Sequence, residues 1–199
     1  MTTQAHRGRI SLFICLLLFS FSAATAGQTV KLPSVGKQAS SPYIRWDDVM
    51  GEDKDTPNAV YCLMGSGFIM APTSANIKKL ISVWIAKHPQ ARTVRVSTFG
   101  PIMVDQPNST QTYVWVIDGQ IMLNEYLVRR GACPGGTMQI PDYGELSPKS
   151  GKTGGAPFHF KVYVTPQESS HFLKRIERAE VQAQKEKLGI WKHGTANVY

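Results

Sequence analysis

The chain has 199 residues, with 22 Lys and Arg against 14 Asp and Glu, a formal charge of +8 at neutral pH. That balance favours anionic partners such as nucleic acid, lipid headgroups or an acidic cell surface, although net charge also serves solubility. Beyond the first two dozen residues no apolar run approaches membrane-span length, and three cysteines without a C-x-x-C pair offer no support for a zinc site.

In chain order, His6, Arg7 and Arg9 form a positive start, Ile10 to Phe21 is almost wholly apolar, and Ala24-Thr25-Ala26 is a small-x-small cleavage pattern. Residues 1–26 therefore read as a signal peptide, and the protein is expected to be exported, either periplasmic or secreted. An uncleaved N-terminal anchor is the competing reading. Losing Arg7 and Arg9 leaves 20 basic residues against 14 acids, a formal +6 over 173 residues, enough chain for one domain with a real core. Residues 27–42 are polar and rich in Gly, Ser and Pro, which predicts a flexible tether. An acidic turn with Asp47, Asp48, Glu52, Asp53 and Asp55 follows.

Tyr61 to Met64 reads as a strand, Gly65-Ser66-Gly67 as a bend, and Phe68 to Met70 as its continuation. Ser74 can cap a helix whose stripe is Ile77, Leu80, Ile81, Trp84 and Ile85, with Pro89 stopping it. Thr93 to Phe99 alternates as a strand does, with Val94 and Val96 on one side and Arg95 and Ser97 on the other. Thr112 to Ile117 is β-rich, Asp118-Gly119 signals a hairpin turn, and Ile121 to Leu123 returns as a short strand. A short helix over 125–130 ends at Gly131. Residues 134–157 carry many Gly and Pro and predict a long surface loop, before a short strand over 160–164. Pro166 opens a long helix, with Phe172, Ile176, Ala179 and Ala183 inward and Glu180 outward. Ile190 and Trp191 follow as apolar plugs, and 193–199 is a tail.

Two cysteines remain after signal removal, Cys62 and Cys133. An oxidising compartment and an even count allow a disulfide between them, and two buried free thiols are the alternative.

Two stretches then carry a resemblance. Tyr113-Val114-Trp115-Val116-Ile117-Asp118-Gly119, followed by Leu123-Asn124-Glu125-Tyr126-Leu127-Val128-Arg129-Arg130-Gly131-Ala132, is similar to the strand, turn and helix of the staphylococcal-nuclease (thermonuclease-like) family. Ala179 to Trp191 resembles that family's closing helix, with its A-E start and G-I-W end. A weaker match is the helix followed by a strand over 74–99, and the coverage is about residues 73–192. The resemblance implies an α+β fold: an OB-fold-like five-stranded barrel with three helices, here the domain 43–192, with the barrel over roughly 60–165. Such barrels commonly present one strand face to nucleic acid.

The resemblance also implies a chemistry, calcium-dependent phosphodiester cleavage, and this chain departs from its residues. The position of one family arginine falls at Thr110-Gln111-Thr112. Asp55-Thr56-Pro57-Asn58 echoes a second family stretch, but Asn58 stands where a glutamate would take the proton of water, and Met50 where another arginine would lie. An amide cannot act as that base. The expectation is therefore a catalytically degenerate binding module, with no catalytic or metal-ligating residues and no cofactor. Its nucleic-acid contacts would be Arg92, Arg95, Arg129, Arg130 and Lys161, with Tyr113 or Trp115 as stacking groups, and its partner a nucleic acid or an envelope protein. Two alternatives stand beside it. One is a divergent metal-dependent phosphodiesterase that binds calcium through the acids of 47–55 and uses His88, His159 or His171 as base. The other is a structural subunit of an envelope or secretion assembly, docking through the 134–157 loop.

Overall fold

The computed structural model describes residues 44–67, 71–103, 105–136, 152–153, 156–157 and 159–193. The expected signal peptide and tether, Phe68 to Met70, most of the 134–157 loop and all but His193 of the tail lie outside the described residues. No helix among the described residues is long and apolar enough to cross a membrane.

Three short strands come first, β1 (Arg45–Trp46), β2 (Met50–Glu52) and β3 (Ala59–Leu63). Only the third is legible as a strand in the sequence. The first two form around the acidic turn: the Asp48 side chain accepts the Met50 N–H at 2.7 Å, and Asp47 N–H reaches Met50 C=O at 3.1 Å. Helix α1 (Ile77–Lys87) begins later than a Ser74 cap would place it. Asn76 occupies the cap position without a side-chain cap bond, and Ser74 supplies its carbonyl to Ile77 N–H at 2.9 Å. The buried stripe is narrower than expected: Ile77, Ile81 and Trp84 are inside, Leu80 is half-buried and Ile85 is 39% exposed.

Strands β4 (Arg92–Gly100) and β5 (Thr110–Asp118) form the centre of the sheet. Gly119, at φ +58°, turns β5 into β6 (Ile121–Met122). Leu123 already belongs to helix α2 (Leu123–Arg129) rather than to the strand. A two-stranded ribbon, β7 (Lys152–Thr153) with β8 (Ala156–Pro157), lies in the segment expected to be loop. Strand β9 (His159–Val162) then pairs with β4. Helix α3 (Pro166–Lys185) starts with a reciprocal capping box between Thr165 and Glu168. It buries Phe172, Ile176, Ala179 and Ala183 as the periodicity predicts.

The fold is mixed α+β, and the sheet order is β1-β2-β3-β5-β4-β9, with β6 also on β5. β3 and β5 run parallel; the other pairs are antiparallel. The sheet is open: β1 and β9 are its two ends and do not pair, so the closed barrel expected over 60–165 is not formed among the described residues. Strand β5 is sandwiched, with every residue from Gln111 to Ile117 buried. Trp115 stacks on Phe172 of α3 at 4.9 Å between ring centroids.

The two stretches that carry the resemblance meet backbone to backbone. Gly131 (φ +62°) ends α2, and Gly189 (φ +52°) opens a single 3-10 turn, Gly189–Trp191, after α3. Ile190 N–H donates to Gly131 C=O at 2.9 Å. A Cβ on Gly131 would sit 2.2 Å from Leu188 O, and one on Gly189 would sit 1.9 Å from Gly131 O. Both glycines are therefore required by conformation and by space. The contact seats Trp191 in the core, while Ile190, expected inside, is only half-buried.

Candidate functional site

The cations expected to contact nucleic acid do not form one patch. Arg129, on α2, is bound to Glu125, which also takes a bidentate bond from Arg175 of α3. Arg130 lies over the Tyr126 ring at 5.5 Å. Both belong to the α2–α3 junction. Arg92 and Arg95 are on β4 and Lys161 is on the neighbouring β9. Arg95 stands opposite Val114, Lys161 opposite Thr98, and Thr98 opposite Thr112. Cross-strand partners share a face and side chains alternate with a period of two. Arg95 and Lys161 thus lie on one face of the sheet, joined by the Thr98–Thr112 hydroxyl pair at 2.8 Å, whereas Arg92, opposite Ile117, falls on the other. Neither Arg95 nor Lys161 forms a salt bridge to a described carboxylate; Lys161 lies over Tyr163 at 5.0 Å.

The expected stacking groups are unavailable for bases. Trp115 is fully buried beneath α3, and Tyr113 is buried beside Phe99.

Two acids of the N-terminal turn, Asp47 and Glu52, are held in ion pairs. Asp47 binds Lys78 of α1 at 3.0 Å, and the hydrogen bond and charge of that lysine hold its carboxyl below the usual range. Glu52 binds Arg45 at 3.2 Å. Asp53 is buried and accepts the Asp55 N–H at 3.0 Å. Among the described residues no group of three or more His, Cys, Asp or Glu is arranged to hold a metal ion.

Of the histidines, His88 has a partner that sequence spacing did not reveal. Its Nδ1 is 2.9 Å from Asp118 Oδ2, across 30 residues, and its ring stacks on Trp84 at 4.2 Å. The pair ties the end of α1 to the β5–β6 turn. His159 is exposed on β9. His171 is held below its ordinary value by partial burial and by Arg175, Arg178 and Lys174.

Cys62 and Cys133 stand in this structure as two buried free thiols. Burial pushes Cys133 up to about 12, with the charge of Glu180 adding to it. Glu180 itself, expected outward, is half-buried and takes a hydrogen bond from the Gly135 backbone; its own carboxyl is raised, chiefly by desolvation.

The structure adds a site that brings together Asp48, Cys62 and Tyr113, each expected in a different role, with Gln111. A cleft of about 270 Å³ opens between the β1–β2 turn, β3, β5 and the Gly65-Ser66-Gly67 bend. Its polar lining includes Asp48, Cys62, Ser66, Gln111 and Tyr113. Gln111 Nε2 donates to Cys62 Sγ at 3.3 Å and to the Tyr113 hydroxyl at 3.1 Å. Desolvation raises Cys62 to about 11 and Tyr113 to about 12, so both keep their protons at neutral pH. A protonated thiol is a poor nucleophile. The arrangement suits reversible binding rather than covalent chemistry.

The two positions that the resemblance assigns to a general base and a phosphate-binding arginine are brought together. Asn58, in the β2–β3 turn, accepts Thr110 N–H through its backbone carbonyl at 2.9 Å. The side chains there are an amide and a hydroxyl. Beside them Gln111 is committed to Cys62 and Tyr113, and Thr112 to Thr98.

Compared with models of known protein families the chain matches none, and no curated protein matches it.

Proposed function

We propose that the protein is an exported binding module on a thermonuclease-like, opened OB-type scaffold that lacks that family's cleavage groups, and that it engages an anionic partner, nucleic acid first, through the Arg95–Lys161 face. The observation that carries the reading is the Asn58–Thr110 junction. It joins the two positions, 52 residues apart, at which the resemblance implies a base and an arginine. It also supports loss of the reaction, because neither side chain can take a proton from water or meet a phosphate with charge. Losing one charged transition-state contact typically costs about 10²–10³ in rate, so the joint loss leaves little activity. The helix between β3 and β4, the parallel β3–β5 pair and the two helices after β6 support the scaffold assignment.

Binding through phosphates weakens steeply with salt. The test is to incubate the purified protein with single-stranded DNA and RNA in millimolar calcium, and to measure binding at low and high salt. No cleavage with salt-sensitive binding is expected. Robust cleavage abolished by chelation would establish the phosphodiesterase instead. Neither cleavage nor binding would favour an envelope-protein partner.

A further inference from the structure

The cleft beneath the β1–β2 turn lies apart from the Arg95–Lys161 face. Cys62 is the register partner of Tyr113 on β5 and of Met50 on β2, so the three share a face. Gln111, two residues before Tyr113, shares it too. Arg95, opposite Val114, lies on the opposite one.

The hydrogen-bond inventory of the Gln111–Tyr113 pair is incomplete in a particular way. Gln111 spends its amide N–H groups on Cys62 Sγ and Tyr113 Oη. This leaves the Gln111 carbonyl oxygen as an acceptor and the Tyr113 O–H as a donor. If the amide turns over, its oxygen accepts from the thiol and the phenol, and the pair presents an N–H donor and the phenol oxygen as acceptor. Either orientation leaves at least one unspent donor beside one unspent acceptor. Both residues are buried and both line the cleft, whose remaining walls include Val49, Leu63 and Ala71. An apolar cavity with a few convergent polar groups is the ordinary form of a small-molecule site. Its charge is equally specific: Asp48 lines it, no cation among the described residues does, and Cys62 and Tyr113 stay protonated.

We infer that this cleft binds a small uncharged molecule carrying a carboxamide or lactam edge, whose adjacent N–H and C=O meet the free acceptor and donor of Gln111 and Tyr113 while its apolar body packs on Met50 and Ala71. An anion of the same shape is rejected, because it would be desolvated beside Asp48 with no compensating cation among the described residues.

Benzamide and benzoate are matched probes, equal in size and differing in charge and in the amide edge. Titrated into the isotope-labelled purified protein, benzamide moves the Gln111 side-chain amide and Tyr113 signals, with affinity in the millimolar range expected of so small a ligand. Benzoate at equal concentrations leaves them in place. Tyr113→Phe removes only the hydroxyl and weakens benzamide about three- to tenfold, the worth of one neutral hydrogen bond. Equal binding of benzoate, an unmoved Gln111 amide at saturating benzamide, or unchanged affinity in a folded Tyr113→Phe variant would each overturn the inference. The wild-type comparison stands even if the variant fails to fold.

Discussion

Asn124 is the most sensitive single position for the architecture. It is 1% exposed and spends its whole side chain on three backbone groups. Oδ1 accepts Val116 N–H at 2.9 Å, and Nδ2 donates to Met64 C=O at 2.8 Å and to Val114 C=O at 3.0 Å. It thereby ties the start of α2 to β5 and to the end of β3. In Asn124→Leu, of similar volume, Val114 C=O keeps a second partner, Met64 N–H at 3.0 Å. Val116 N–H and Met64 C=O lose the side chain that satisfied them in a dry interior. Each such orphaned group costs about 1–3 kcal/mol, so the substitution should destabilise by about 2–6 kcal/mol. Against a typical total of about 5–15 kcal/mol, that is a large fraction of the stability. Asn124→Asp keeps the acceptor but turns a carboxylate toward two carbonyls. It should be at least as damaging at neutral pH and recover in part in acid, where a protonated carboxyl regains a donor. Urea unfolding followed by tryptophan fluorescence measures both, provided the slopes match the wild type. A loss below about 1 kcal/mol for Asn124→Leu, the scale of a surface change, would refute the reasoning.

Other expectations test separate contacts. Gly131→Ala and Gly189→Ala should each destabilise by about 1–3 kcal/mol from left-handed strain alone, and more from the clash across the α2–α3 junction; a neutral result in thermal melts would mean the helix ends are not docked as described. Trp191→Ala should cost about 3–5 kcal/mol as a buried large-to-small change, and Trp191→Phe considerably less. His171 is held below its ordinary 6.5, so the unfolded chain binds the proton more tightly than the fold. Its contribution is therefore lost as pH falls below 6.5 toward the folded value, and His171→Gln should flatten the stability–pH curve in that window without changing it above. Arg95→Gln with Lys161→Gln should weaken single-stranded DNA binding and reduce its salt dependence, while Arg129→Gln, whose charge already serves Glu125, should alter binding little.

The helices were the legible part of this fold, for physical reasons. The stripe of α3 and the Thr165–Glu168 capping box are local patterns, and local patterns survive in one dimension. Strand β5 was also legible, although its burial on both faces blurs the alternation that identifies a half-exposed strand. β1 and β2 are two and three residues long, too short for any period, and form because the Asp47–Asp48 turn folds β1 onto β2, which pairs with β3. The barrel was an inference from resemblance; β9 occupies one flank of β4, and the sheet ends there among the described residues.

The candidate sites divide along the same line. A list of cations can be read from sequence, but which of them are free depends on partners far away in the chain. Glu125 captures Arg129 from its own helix and Arg175 from 50 residues on, and only the α2–α3 packing makes that visible. Gln111 is a stricter case. In sequence it is one polar residue just before the β-rich run that starts at Thr112, and no local pattern marks it as buried. Its burial follows from the parallel pairing of β3 with β5, which sets Cys62 level with Tyr113 and gives the Gln111 amide two partners indoors. A buried amide with its hydrogen bonds half spent against a cleft is an arrangement that packing alone does not require, since leucine would fill the volume without leaving a carbonyl to satisfy. The position that the resemblance implies for catalysis is neutral here, and the polar groups with unspent capacity lie on the other face of the same strand. The two proposals therefore place binding chemistry on two faces of β5 and its neighbours, one proposed to select for negative charge and one against it.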